Sequence, residues 1–234
     1  MRVRRIIPTG AEVRAMLDGR IAALSWPLRP QPARVDGDGR WYRMPGGGES
    51  LNCHDTPFAV GDMLYVQEKV EVAVTGPCRV RIRWAMPYEA RPARYADASL
   101  ILPADRMLST DRTVGPRNML REFSRLTLQV TGETIQRLSE TTAEQAKAEG
   151  MMYARIDPGS GFRWGWPNPW TGRPDNNATD GALAWRDWSP NPCFAHSRKL
   201  MGRFGIAQDA WVQRITFTIH RENVDRLMGR REAA

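Results

Sequence analysis

The spacing of apolar and polar residues changes several times along this chain, and each change predicts an element. Thr9 and Glu12 form a capping box, and Val13, Met16 and Leu17 follow at helical spacing, so a short amphipathic helix is expected over 10–19, stopped by Gly19. Residues 27–57 are dense in Pro and Gly, including Gly46-Gly47-Gly48, and read as an irregular excursion. Val60 to Val74 reads as strand. Cys78 to Trp84 alternates cleanly, with Arg79, Arg81 and Arg83 on one face and Val80, Ile82 and Trp84 on the other. Residues 86–118 are again Pro-rich and mixed.

Leu126 to Thr131 and Thr134 to Leu138 are short strand candidates, followed by a second capping box, Thr142 and Gln145, opening a helix that Gly150 ends. The stretch 151–193 carries Trp164, Trp166, Trp170, Trp185 and Trp188 among many Gly, Pro and Asn residues, and reads as an insertion-like loop region. Phe194 to Phe204 is expected to be helical, with Leu200, Met201 and Phe204 inward. Trp211 to His220 alternates as a final strand, and the tail 221–234 is polar, Arg-rich and compatible with a helix. Short strands far apart in sequence, with few helices, point to one α+β domain over 1–234 built on a small barrel, with insertions at 27–57, 86–118 and 151–193.

Charge narrows the choice of partner. Lys and Arg total 34 against 26 acidic residues, a net +8 over 234 residues, which favours an anionic partner or else is a merely soluble basic surface. Nearly all of that charge is arginine. The planar guanidinium suits phosphate and base recognition, although a GC-rich genome gives the same bias. Cys53, Cys78 and Cys193 lie far apart with no Cys-x-x-Cys pair, so neither a disulfide framework nor a zinc site is indicated, and a reducing cytoplasm fits. The start, Met1 to Pro8, has charge but no apolar stretch of signal-peptide length, and no run approaches a membrane span, so the protein is expected to stay where it is made.

Four segments, in order, carry a family resemblance. They are Gly19-Arg20-Ile21-Ala22-Ala23-Leu24-Ser25-Trp26 before a proline-broken run, Gly61-Asp62-Met63-Leu64-Tyr65-Val66-Gln67-Glu68, Met119 to Val130, and Asp209-Ala210-Trp211-Val212. Together they resemble the ASCH group of PUA-like proteins, specifically the long forms encoded in phages and prophages. The resemblance implies a small PUA-like barrel with a pocket where the first helix meets it. Members that deacetylate acetylated cytidine use a lysine and a threonine after the helix together with the strand glutamate. Here those positions hold Ile21, Leu24 and Glu68, and neither aliphatic side chain can act as base or nucleophile. No catalytic residue is therefore assigned. Lys69 lies next to Glu68 but would need a bulge to share its pocket. Ser25 is an isolated hydroxyl with no identifiable partner.

The candidate nucleotide-binding residues are Arg20, Trp26, Glu68, Ser124 and Arg125. Glu68 is either a pocket carboxylate that accepts from a base edge or a buried partner for Arg20 or Arg125, since an unpaired buried charge is costly. Ser124-Arg125 either binds an anion or forms a structural salt bridge. Arg79, Arg81 and Arg83, about 6 to 7 Å apart along one strand face, either follow a nucleic-acid backbone or form a solvated edge protected by charge. Trp164, Trp166 and Trp170 either stack on unpaired bases or anchor a loop. His54, His196 and His220 have no ligand or triad spacing.

The expected function is non-catalytic binding of nucleic acid or a nucleotide, RNA favoured, with no metal or cofactor, in the cytoplasm of a bacterial host. The alternatives are a hydrolase or nuclease acting on nucleosides or RNA, and a protein-interaction factor such as an anti-defence or virion-associated protein. Arg20 and Glu68 are charged, so the old pocket is expected to be partly open, with Lys at Ile21 and Thr at Leu24 accepted at small cost.

Overall fold

The computed structural model describes residues 1–32, 34–35, 41–42, 56–84, 97–102, 108, 110–155, 161–166 and 188–232. Its strands are β1 (Val3–Ile6), β2 (Ala23–Pro27), β3 (Arg34–Val35), β4 (Trp41–Tyr42), β5 (Met63–Val66), β6 (Val70–Gly76), β7 (Arg79–Trp84), β8 (Asp97–Ile101), β9 (Arg112–Val114), β10 (Thr127–Arg137), β11 (Met152–Arg155), β12 (Phe162–Gly165) and β13 (Trp211–His220). The helices are α1 (Gly10–Leu17), α2 (Ala143–Ala148), α3 (Pro192–Phe204) and α4 (Val224–Glu232). The fold is α+β, mostly strand with few short helices. One sheet runs β1-β5-β10-β13-β2, another β8-β7-β6-β9, and β3-β4 and β11-β12 are two-stranded ribbons. Both larger sheets are open among the described residues.

Local chemistry sets the helix starts. Thr9 Oγ1 accepts from the Glu12 N–H at 3.3 Å while the Thr9 N–H donates to Glu12 Oε2 at 2.6 Å, and Thr142 and Gln145 repeat the arrangement at α2. Asn191 caps α3, accepting from the Cys193 N–H at 2.9 Å, and Gly205, at φ +63°, ends it. Val13 and Met16 of α1 pack onto the five-stranded sheet with Ile6, Leu24, Leu64, Leu128 and Ile215. Val70, Val72, Val80, Ile82 and Phe123 form a separate core behind the four-stranded sheet.

Several sequence expectations are corrected. The single strand expected over Val60–Val74 is two strands in different sheets. Gln67 and Glu68 turn the chain between them, the Gln67 amide donating to Met119 O at 2.7 Å and the Glu68 N–H reaching Met119 Sδ at 3.0 Å. Conversely, Leu126–Thr131 and Thr134–Leu138 are one strand, β10, with a bulge between Val130 and Gly132. Gly132 lets the chain close there, because a Cβ would sit 2.7 Å from Thr216 Oγ1. Helix α1 ends at Leu17, with Asp18 as its cap. Residues 23–27 form β2, an outer strand that hydrophobic burial hides from alternation. The excursions also hold strands: β8 and β9 lie within 86–118, and the β11-β12 ribbon lies within 151–193.

Candidate functional site

Beyond Asp18, Gly19 takes φ +69° and the chain turns against the end of α2. Arg20 donates from Nη1 to Gly150 O at 3.0 Å and from Nε and Nη2 to the Asp18 carboxylate at 3.1 and 2.9 Å. Ile21, 3% exposed, and Leu24, 1% exposed, lie in the main core. The partial opening expected at these positions is absent. Backbone pairing of Ile21 with Glu149, and of Leu24 with Ile215, turns both side chains into the apolar interior. Trp26 packs edge-on against Phe58 and tilted against Phe204, with the Arg203 guanidinium 5.1 Å above its ring.

Glu68 is joined to Arg125 and not to Arg20. Arg125 Nε donates to Oε1 at 2.9 Å and Nη2 to Oε2 at 2.6 Å, a bidentate pair in which the carboxylate is buried and the guanidinium partly so. Trp84 backs the guanidinium at 5.2 Å and donates its own Nε1–H to Phe123 O at 2.8 Å. The Ser124 hydroxyl donates to Leu126 O at 2.8 Å. Among the described residues, no contact connects Arg20 or Trp26 to the Glu68–Arg125 pair.

Sequence reasoning missed a buried polar network. The Ser25 hydroxyl, expected to stand alone, donates to Glu149 Oε1 in a short contact. His196 Nε2 lies 2.9 Å from Glu149 Oε2, off the line of a regular hydrogen bond, and Trp166 Nε1–H donates to Glu149 O at 3.2 Å. Next to it, Lys199 donates to Glu12 Oε1 at 2.8 Å with its ammonium 4.0 Å over the Trp166 ring. Arg203 Nη1 donates to both Glu12 oxygens at 2.9 and 2.8 Å, and Nη2 donates to Ile7 O at 2.8 Å. Burial pushes the Glu12 carboxyl up, but Lys199, Arg203 and the hydrogen bonds outweigh it and hold the pKa at about 2. Burial likewise opposes ionisation of Glu149, and His196 and Ser25 outweigh it and lower its pKa. Burial pulls the Lys199 ammonium below its usual value, with Glu12 acting in the other direction.

A hydroxyl, a carboxylate, an imidazole and an amine are the components of a nucleophile site. Their surroundings argue for fastening instead. Ser25, Glu149, His196 and Lys199 are all buried, and a carboxylate held low is a weak base. The signal legible in sequence was the spacing of His196, Lys199 and Arg203, which puts three basic side chains on one face of α3.

The arginine face is differently placed. Val80, Ile82 and Trp84 point into the core, while Arg79 and Arg81 are exposed and Arg83 is half-exposed, 3.6 Å from Glu71. In the register Arg79 lies between Gly76 and Ile101, Arg81 between Ala73 and Ser99, and Arg83 between Glu71 and Asp97. An open cleft of about 420 Å³ runs over this face, lined by Arg81, Arg83, Arg112, Glu71, Asp111 and Thr113. Asp111 is engaged with the Val74 N–H at 2.8 Å. No ion pair is formed by Arg79, Arg81 or Arg112 among the described residues.

Trp166 is wholly buried and anchors its segment, whereas Trp164 lies on the β11-β12 ribbon. His220 ends β13 opposite Thr127. His54, Cys53, Trp170 and Trp185 lie outside the described residues. Cys78 and Cys193 are free thiols. No group of His, Cys, Asp and Glu among the described residues could hold a metal ion, and no helix described is long and apolar enough to cross a membrane. Comparison with protein-family models, with curated proteins and with solved structures gave no match.

Proposed function

We propose that this chain is a non-catalytic module that binds nucleic acid or a nucleotide, RNA favoured, through the arginine face of the four-stranded sheet. The observation that carries the reading is the cleft where Arg81, Arg83 and Arg112 converge beside Arg79, with Arg81 set between Ala73 and Ser99. Guanidiniums spaced along a strand by about 6 to 7 Å can each meet a phosphate of an extended strand. On this reading the five-stranded sheet with α1 across it is the counterpart of the PUA-like barrel that the ASCH resemblance implies, phage or prophage origin follows from the same resemblance, and the bacterial cytoplasm is the place of action. The test is the salt dependence of binding to a labelled oligonucleotide, followed by anisotropy. Replacing Arg79, Arg81 and Arg83 with Ser should flatten the slope of log K against log salt by about one to two units. An unchanged slope refutes the assignment of this face.

The closed packing of Ile21 and Leu24 favours a second reading, a protein-interaction factor whose ancestral pocket is filled. Absence of any salt-dependent oligonucleotide binding by the unmodified protein would move the assignment there.

A further inference from the structure

We propose that the outer face of the β11-β12 ribbon is a stacking platform for the unpaired bases of a single-stranded nucleic acid. This rests on the nucleic-acid reading above and goes beyond it, because it names the form of the ligand and a second contact surface. The ribbon register pairs Tyr153 with Trp164 and Arg155 with Phe162, so these four side chains share one face. Their rings form a continuous stack. Tyr153 lies 4.8 Å from Trp164 at 32° and 5.3 Å from Phe162 at 29°, and the Lys147 ammonium caps Trp164 at 4.9 Å.

Anchoring does not require these rings to be outside. Tyr153 and Phe162 are 53% and 56% exposed, whereas the anchoring is done by Trp166 and Trp188, both buried. Gly165 lets the ribbon's inner face lie flat on Trp188, since a Cβ there would come within 2.3 Å of that ring. The backbone of Trp164 exchanges bonds of 2.7 and 3.0 Å with Ser189. A two-stranded ribbon is marginal alone, and this clamp fixes it in place, so the rings are held ready at little ordering cost.

Charge selects the occupant. The two strands, Met152–Arg155 and Phe162–Gly165, contain no acidic residue; Arg155 shares the face of the rings, Arg163 lies opposite Ala154 on the other face, and Lys147 adds a second cation at one end of the stack. Flat rings interleaved with cations fit a chain of flat bases joined by phosphates. A duplex keeps its bases stacked on one another and offers them no face.

The experiment uses labelled oligonucleotides of about 12 nucleotides, single-stranded and duplex, in about 50 mM salt. It compares the unmodified protein, a Tyr153→Ser/Phe162→Ser variant, Tyr153→Phe, and the triple arginine variant. The unmodified protein should prefer the single strand. The double serine variant should lose about 10- to 100-fold on the single strand while keeping its salt slope, and Tyr153→Phe should keep most of the affinity. Irradiation of a 5-iodouracil oligonucleotide should attach it to Tyr153, Phe162 or Trp164. Unimpaired single-strand binding by the double variant, or adducts only elsewhere, overturns the platform and leaves the nucleic-acid reading standing. Failure of the unmodified protein to bind either ligand overturns both.

Discussion

Arg125 closes on Glu68 with both arms of its guanidinium, at 2.9 and 2.6 Å, between Trp84 and the turn that carries the chain from β5 to β6. The Glu68 carboxylate is therefore already engaged, by the arginine that follows Ser124.

Removing one partner should expose how dearly this pair is held. Arg125→Met leaves a buried carboxylate without a counter-charge, and stability should fall by about 3 to 5 kcal/mol in urea denaturation. Adding Glu68→Leu should recover most of that loss. A cost below about 1 kcal/mol for Arg125→Met would mean that Glu68 is well solvated without it.

Polar replacements at Ile21 and Leu24 should be expensive. Ile21→Lys and Leu24→Thr place an ammonium and a hydroxyl in the cluster of Val13, Met16, Leu64 and Leu128, with an expected combined loss of roughly 2 to 5 kcal/mol. Chemical denaturation measures it, and a loss under about 1 kcal/mol would show that the site can open.

Acid should weaken the fold through Glu12. Its pKa falls from 4.5 to about 2 on folding, so between these values the unfolded chain binds a proton that the folded chain does not. The stabilisation is complete above about 4.5 and is lost as pH drops through about 2, a difference of roughly 3 kcal/mol. The stability gap between the unmodified protein and Glu12→Gln should shrink over that window. A gap independent of pH from 6 to about 2 would contradict the assignment.

Gly165→Ala should displace Trp188 from the ribbon, since the new methyl would lie 2.3 Å from its ring. The expected cost is about 1 to 3 kcal/mol. Gly161→Ala, where nothing lies within 4 Å but φ is +70°, should cost less, through backbone strain alone. Equal thermal midpoints for the two variants would show that the ribbon does not rest on Trp188.

What could be read from the sequence was what is local. The Thr9–Glu12 and Thr142–Gln145 boxes are written within four residues, and β7 and β13 alternate because each has unlike faces. Strand β2 is covered on both sides, so Ala23–Pro27 has no alternation to read. Ser25 and Glu149 are 124 residues apart, and nothing in either neighbourhood specifies the other. The arginine face was visible as a pattern, but its cleft depends on Arg112, which only pairing of β9 with β6 brings alongside.

The position of β13 bears on the order in which the molecule is made. Residues 211–220 lie between β10 and β2, and Ile215 and Phe217 belong to the main core. A ribosome that has not yet released this segment leaves β10 with a long unpaired edge and the core without its closing strand. The four-stranded sheet and the core behind it draw on residues 70–123, so they can form while synthesis continues. Fragments that stop before Trp211 should therefore keep the arginine sheet and aggregate through the other.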